Sequence, residues 1–192
     1  MRISKLISLL INYDGMDTDI VLKDNPAACR VLFNEMKHII LEDCDLLSHI
    51  VRFKIIEKND RINGSYSTED KTVRVVIEGQ TNMSIVNTMA HELRHAFQHY
   101  NGLLNKSFEQ KSMHSKVVSD YMYSLEDFPA TEEHVRQVLY RTSWHEVDAR
   151  RYARWFTRGG VGEFKETGHF YINEENISKK LIAQLLTMGE LE

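Results

Sequence analysis

The sequence predicts one α+β domain spanning residues 1-192. Three observations point there. Long stretches carry apolar residues at three- and four-residue spacing, two short β-branched runs stand close together in the first half, and no internal repeat, low-complexity tract or linker interrupts them. With 192 residues the chain can bury a full core. Hydrophobic residues make up 42% and charged residues 27%, the mix of a globular protein. A net charge of -4 gives no reason to expect nucleic acid as a partner.

The elements follow in order. "MRISKLISLL" has the basic start and apolar run of a signal peptide. Asn12, Tyr13 and Asp14 follow at once, however, and Ile3, Leu6, Ile7, Leu10 and Ile11 fall at helical spacing, so the segment reads as an amphipathic helix. Residues 25 to 50 read as a long helix capped by Asn25, with Pro26 in its first turn and Val31, Leu32, Met36, Ile39, Ile40 and Leu47 facing inward. "VRFKIIE" (51–57) and "KTVRVVIE" (71–78) read as strands. Asn-Gly turn chemistry lies between them, giving a small antiparallel or mixed sheet. A helix from about Asn82 to Tyr100 comes next, with Gly102 placed to end it. Residues 103 to 130 are polar and irregular, with a short helix around Val117 to Tyr123. Pro129 and Thr131 open a helical pattern that reaches Phe156, and Gly159, Gly160 and Gly162 break it. "GHFYIN" reads as a short strand and "NISKKLIAQLLTM" as a closing amphipathic helix. No run approaches the ~20 apolar residues that a membrane span needs. Cys29 and Cys44 have no metal or redox spacing, which makes a reducing compartment the expectation.

The chemistry concentrates in "TMAHELRHAFQHY" (88–100). Residues four apart on a helix are stacked neighbours, so His91 and His95 can aim two imidazoles at one ion, and zinc suits such ligands. Glu92 lies a third of a turn round, beside the ion, where a carboxylate can take a proton from water. Ile85, Val86, Met89, Leu93, Phe97 and Tyr100 form a core face. Ser84, Asn87, Thr88, His91, His95 and Gln98 share the other side.

Catalytic zinc takes a third protein ligand. His99 stands about 12 Å along the axis from His91 at ~1.5 Å per residue, too far to share the ion. The longer pattern HExxHxxGxxH fails because Gln98 replaces the glycine and Asn101 the last histidine. In "TSWHEVDARRYARWF", Val135, Leu139, Thr142, Glu146, Ala149 and Ala153 step along one helical face. A carboxylate in that small and apolar stripe needs a cation or strong donors. Glu146 is the leading third ligand; Asp148, His114, His145 and His169 are the alternatives. Ser143 and Glu146 also match a capping box, which the periodic run before them opposes. Trp144, Arg151 and Trp155 form a second stripe, expected to pack under the terminal helices.

HELRH followed by E-x-x-A within "HEVDARRYA" resembles the gluzincin-like zinc metallopeptidases, and most of all their compact ImmA/IrrE-type branch in bacteria and mobile elements. The likeness covers roughly residues 50 to 157. Glu146, Ala149 and Ala153 match the later ligand helix of that branch. The resemblance implies a zincin-like domain: a small sheet packed on an active-site helix, a second ligand-bearing helix, and terminal helices besides. It further implies Zn2+ on His91, His95 and Glu146 with Glu92 as base. The chain departs from thermolysin-like enzymes where Arg150 stands in place of an aspartate, and no added DNA-binding region is visible.

The expected activity is zinc-dependent hydrolysis of a protein or peptide substrate in the cytoplasm of a bacterial or phage-infected cell, with no membrane partner. Glu92 would move the proton. Tyr66, His145, Arg150 and Tyr152 are weak candidates for holding the oxyanion. Strand 71–78 is the expected edge for a peptide to pair with. Two other classes remain: a non-proteolytic zinc-containing binding or regulatory module, and a peptidoglycan amide hydrolase. The sequence does not fix an oligomeric state.

Overall fold

The computed structural model describes residues 22–41, 50–58, 62–104, 140 and 144–158. The helices expected at both termini and around Val117, the strand "GHFYIN", and the alternatives His114 and His169 lie outside the described residues. So do Cys44, Leu47 and residues 131–139 of the long helical pattern. What is described is a mixed α+β fold: three α-helices, one 3-10 turn and a three-stranded mixed sheet.

After the 3-10 turn Leu22–Asp24, helix α1 runs Pro26–Ile40. Asn25 caps it by accepting from the Ala28 amide at 3.0 Å, and Pro26 fills the first turn, where a missing N–H costs nothing. The helix closes at Leu41, short of the expected residue 50. Its buried face is Cys29, Leu32, Phe33, Met36, Lys37 and Ile40. Val31, expected inside, is 65% exposed, because it lies off that 3.6-residue stripe. Phe33 stacks on Phe53 with ring centroids 4.5 Å apart and so ties α1 to the sheet.

The sheet corrects the sequence reading in two ways. Strands β1 (Arg52–Ile56), β2 (Gly64–Ser67) and β3 (Thr72–Val76) lie in the order β1-β3-β2. β1 pairs β3 in parallel, Arg52 opposite Thr72 through Ile56 opposite Val76, so these two are not a hairpin. The antiparallel partner of β3 is β2, with Gly64 opposite Val75 and Ser67 opposite Thr72. Gly64 therefore begins a strand and makes no turn; the reversal falls at 68–71, where Lys71 takes φ 53°. Consequently β3 is central, and the edge position expected for 71–78 is wrong. Thr72, Val73, Val75 and Val76 are all buried, which explains why Val76 breaks the alternation: both faces of a central strand are covered.

Helix α2 runs Asn82–Tyr100, within the expected bounds. Thr81 caps it, accepting from the Ser84 amide at 3.1 Å. Gly102, at φ +66°, supplies the left-handed conformation that follows many helix ends. Ile85, Val86, Met89 and Leu93 are buried, and Phe97 and Tyr100 pack against the same core. Each such side chain contributes about 1.5–3 kcal/mol when fully withdrawn from water, an upper figure for a compact unfolded chain. Helix α2 packs on β2, β3 and α1. The Leu22 amide donates to Asn82 Oδ1 at 2.9 Å, joining the two helix starts.

Helix α3 runs Trp144–Thr157. The chain divides into two compact units, 1–101 with 149–164 and 102–148 with 165–192, and the division falls inside this helix. Tyr152, Ala153 and Phe156 belong to the core of the first unit, and Trp155 packs against it. Arg151 is exposed, so the second stripe expected on this helix is not uniformly packed. No described helix is long and apolar enough to cross a membrane.

Candidate metal centre

On α2 the imidazoles of His91 and His95 meet edge to face. Their ring planes stand 87° apart and their centroids 4.7 Å apart. Nε2 faces Nε2 at 3.1 Å. Two ring nitrogens this close share either a proton or a cation. Two nitrogens each bound to one zinc at about 2.0–2.1 Å, with a tetrahedral angle, stand about 3.3 Å apart, so the pair fits that ion.

The side of α2 that reads as polar is not an open face. Glu92 and His95 are buried, at 6% and 8% exposed, and Gln98 is wholly buried; His91 is half-buried. His95 Nδ1 and Gln98 Oε1 are hydrogen-bonded at 2.9 Å. Gln98 had no place among the sequence-derived site residues. Its one signal was lying three residues past a candidate ligand, on the same helical side.

On α3, Glu146 stands one turn ahead of Ala149 and two ahead of Ala153. All three are buried, as the stripe reading requires: Glu146 is 3% exposed and the two alanines 0%. One ligand atom each from His91, His95 and Glu146 all lie within 4.8 Å of one another. Asp148, named above as an alternative ligand, is itself fully buried, so exposure does not separate it from Glu146.

Gly64 of β2 lies against this part of α2. A Cβ built there would stand 2.5 Å from Thr88 Cγ2, 2.9 Å from the Arg74 carbonyl oxygen and 3.2 Å from Glu92 Cγ. Any side chain at 64 would press on the helix beside Glu92, so glycine permits the close approach.

The weaker candidates take up different positions. Tyr66, on β2, has its hydroxyl 2.9 Å from His99 Nδ1. Burial, with Tyr100 and Asp70 nearby, pushes its phenol above the ordinary range, so it stays protonated, able to donate to a bare Nδ1 or to accept from a protonated one. His145 Nε2 lies 3.7 Å from Glu146 Oε1, an ion pair when the imidazole is protonated. Tyr152 is buried, and its ring lies 4.8 Å from the Arg94 guanidinium, which also sits 4.3 Å from the Phe97 ring. Arg150 is half-buried. His99, set aside as a ligand by helical rise, is occupied by Tyr66.

Comparison with protein-family models, curated proteins and solved structures finds no match.

Proposed function

We propose that this chain is a zinc-dependent metallopeptidase with a zincin-like fold, hydrolysing a protein or peptide substrate inside the cell. The observation that carries the reading is the facing imidazole pair of one helix, with a buried carboxylate of another helix within 4.8 Å. Two imidazoles and one carboxylate are the donor set of a catalytic zinc site that keeps a position open. His91, His95 and Glu146 would hold the ion.

When bound, zinc supplies a Lewis acid that polarises a carbonyl and lets water lose a proton near neutral pH. Glu92 adjoins His91 in sequence and leaves the donor set to its neighbours. Its buried carboxylate accepts the proton from the attacking water and returns it to the leaving amine. A buried base exchanges protons with few competing waters, which favours this shuttle over release to solvent. The substrate's extended backbone is assigned to β2. Among the described residues β2 pairs on one side only, with β3, and its first residue abuts Glu92. A peptide laid along the other side would gain main-chain hydrogen bonds and bring a scissile carbonyl toward that carboxylate. This assignment replaces β3, which has no open edge.

The test is metal analysis of the purified chain together with Glu92→Gln. The expected result is about one zinc per chain in both proteins. Peptide hydrolysis should be present in the parent and absent in the variant. Wild-type turnover in Glu92→Gln removes Glu92 as base, and a chain that takes up no zinc removes the reading altogether.

A further inference from the structure

We propose that Gln98 is a positioning residue that fixes His95 in the tautomer with its proton on Nδ1, which turns the Nε2 lone pair toward His91 and the proposed ion site. The inference rests on the zinc reading above and extends it to a residue outside the HExxH pattern.

A carbonyl oxygen can only accept. With Gln98 Oε1 at 2.9 Å, the proton of the His95 ring sits on Nδ1. A neutral imidazole carries one N–H, so Nε2 carries the ring's lone pair. Nε2 is also the atom that faces His91 Nε2 at 3.1 Å. The choice of tautomer and the direction of the lone pair therefore agree at one residue. Metal-bound histidines commonly gain their orientation this way, through the ring nitrogen that does not bind.

The setting strengthens the bond. Gln98 is 0% exposed and His95 8% exposed, so a lost hydrogen bond there leaves polar atoms away from bulk water. Both residues lie on one turn of α2, which already aligns them. The extended metallopeptidase pattern has glycine at position 98, and glycine offers no such acceptor. An amide also differs from a carboxylate in this role. It orients the ring without adding negative charge beside it.

The experiment uses the full chain with nitrogen-15 in its histidines, and reads two quantities. In the metal-free protein, imidazole nitrogen shifts report which nitrogen of His95 carries the proton. Competition with a chromophoric chelator reports zinc affinity. Wild type should show the proton on Nδ1. Gln98→Met keeps the volume but removes the acceptor. It should move the proton population toward Nε2 and weaken zinc binding by about 10- to 100-fold. Gln98→Glu restores an acceptor and should keep the Nδ1 proton, with zinc bound at least as tightly as in wild type. A Gln98→Met protein with an unchanged Nδ1 proton and unchanged zinc affinity overturns the proposal. If Gln98→Met does not fold, Gln98→Glu decides, and loss of its Nδ1 proton counts against the role. Should wild type bind no zinc, the zinc reading fails by itself, while the proton on His95 still decides what Gln98 does.

Discussion

Gly64 and Glu92 approach so closely that one added methyl group would stand 3.2 Å from the Glu92 side chain. The same methyl would meet the Arg74 carbonyl oxygen at 2.9 Å, and backbone in the centre of a sheet cannot swing aside. Gly64→Ala is therefore expected to displace β2 from α2, costing about 1–3 kcal/mol as overpacking does. Thr88, at 2.5 Å, and Glu92 are the α2 side chains pressed, and neither imidazole is among the three nearest groups. On the proposed function, turnover should fall at least about 10-fold while zinc affinity changes little, because misplacing a catalytic group is costly. Urea unfolding, zinc competition and peptide hydrolysis on one preparation check all three.

Glu146 and Asp148 are both buried, so substitution must tell them apart. Glu146 belongs to the group whose ligand atoms lie within 4.8 Å of one another; among the described residues Asp148 belongs to no such group. Glu146→Gln should weaken zinc binding by more than the roughly 10- to 100-fold that losing a supporting hydrogen bond costs. Asp148→Asn should lower stability and leave zinc affinity within that bound. Zinc competition on the two variants checks this, and the reverse order would move the third ligand to Asp148.

Helix α2, the start of α1 and the histidine pair were legible in the sequence because they depend on short-range geometry. Asn25, Pro26, Thr81 and Gly102 mark helix ends through their own backbone and side chains, and His91 and His95 need only the helical repeat to meet. Strand β2 was not legible. "GSYS" has neither β-branched residues nor an apolar alternation, and its strand state comes from pairing with β3. Missing it left the sheet open between antiparallel and mixed and put β3 at an edge. The polar side of α2 misled in the same way. Gln98 and His95 look solvent-facing by type, and only tertiary packing buries them.

His99 and Tyr66 couple stability to pH. Burial first, and then the nearby Lys71 charge, hold the His99 pKa below its ordinary 6.5. The folded protein thus takes up this proton less readily than the unfolded chain. The associated stability is fully present above about 6.5 and is lost as the pH falls below that value. Where His99 is neutral with Nδ1 bare, the Tyr66 hydroxyl donates to it and favours that neutral ring. Tyr66→Phe should cost about 0.5–1.5 kcal/mol near pH 7.5, and less near pH 5. His99→Gln should flatten the acid limb of the stability curve. Urea midpoints at the two pH values decide, and equal losses for Tyr66→Phe at both would separate the hydroxyl from the titration.

Lys37 offers a test unconnected with the metal centre. It lies on the inner face of α1 beside Phe33, Met36 and Ile40, at 9% exposed, and its ammonium reaches the Val51 carbonyl oxygen at 3.5 Å. That is a long bond for a charge drawn out of water, and desolvation holds its pKa below the usual 10.5. The unfolded chain binds this proton more readily, so stability should rise as pH climbs toward 10.5 from the region below it. Met has a similar length and no charge to bury. Lys37→Met is expected to change stability by between zero and about 2 kcal/mol in favour of the variant at neutral pH. It should also remove the rise on the alkaline side. Urea unfolding of both proteins at pH 7 and at pH 9.5 measures this. A loss above about 1 kcal/mol at pH 7 would mean that the bond to Val51 outweighs the desolvation of the ammonium.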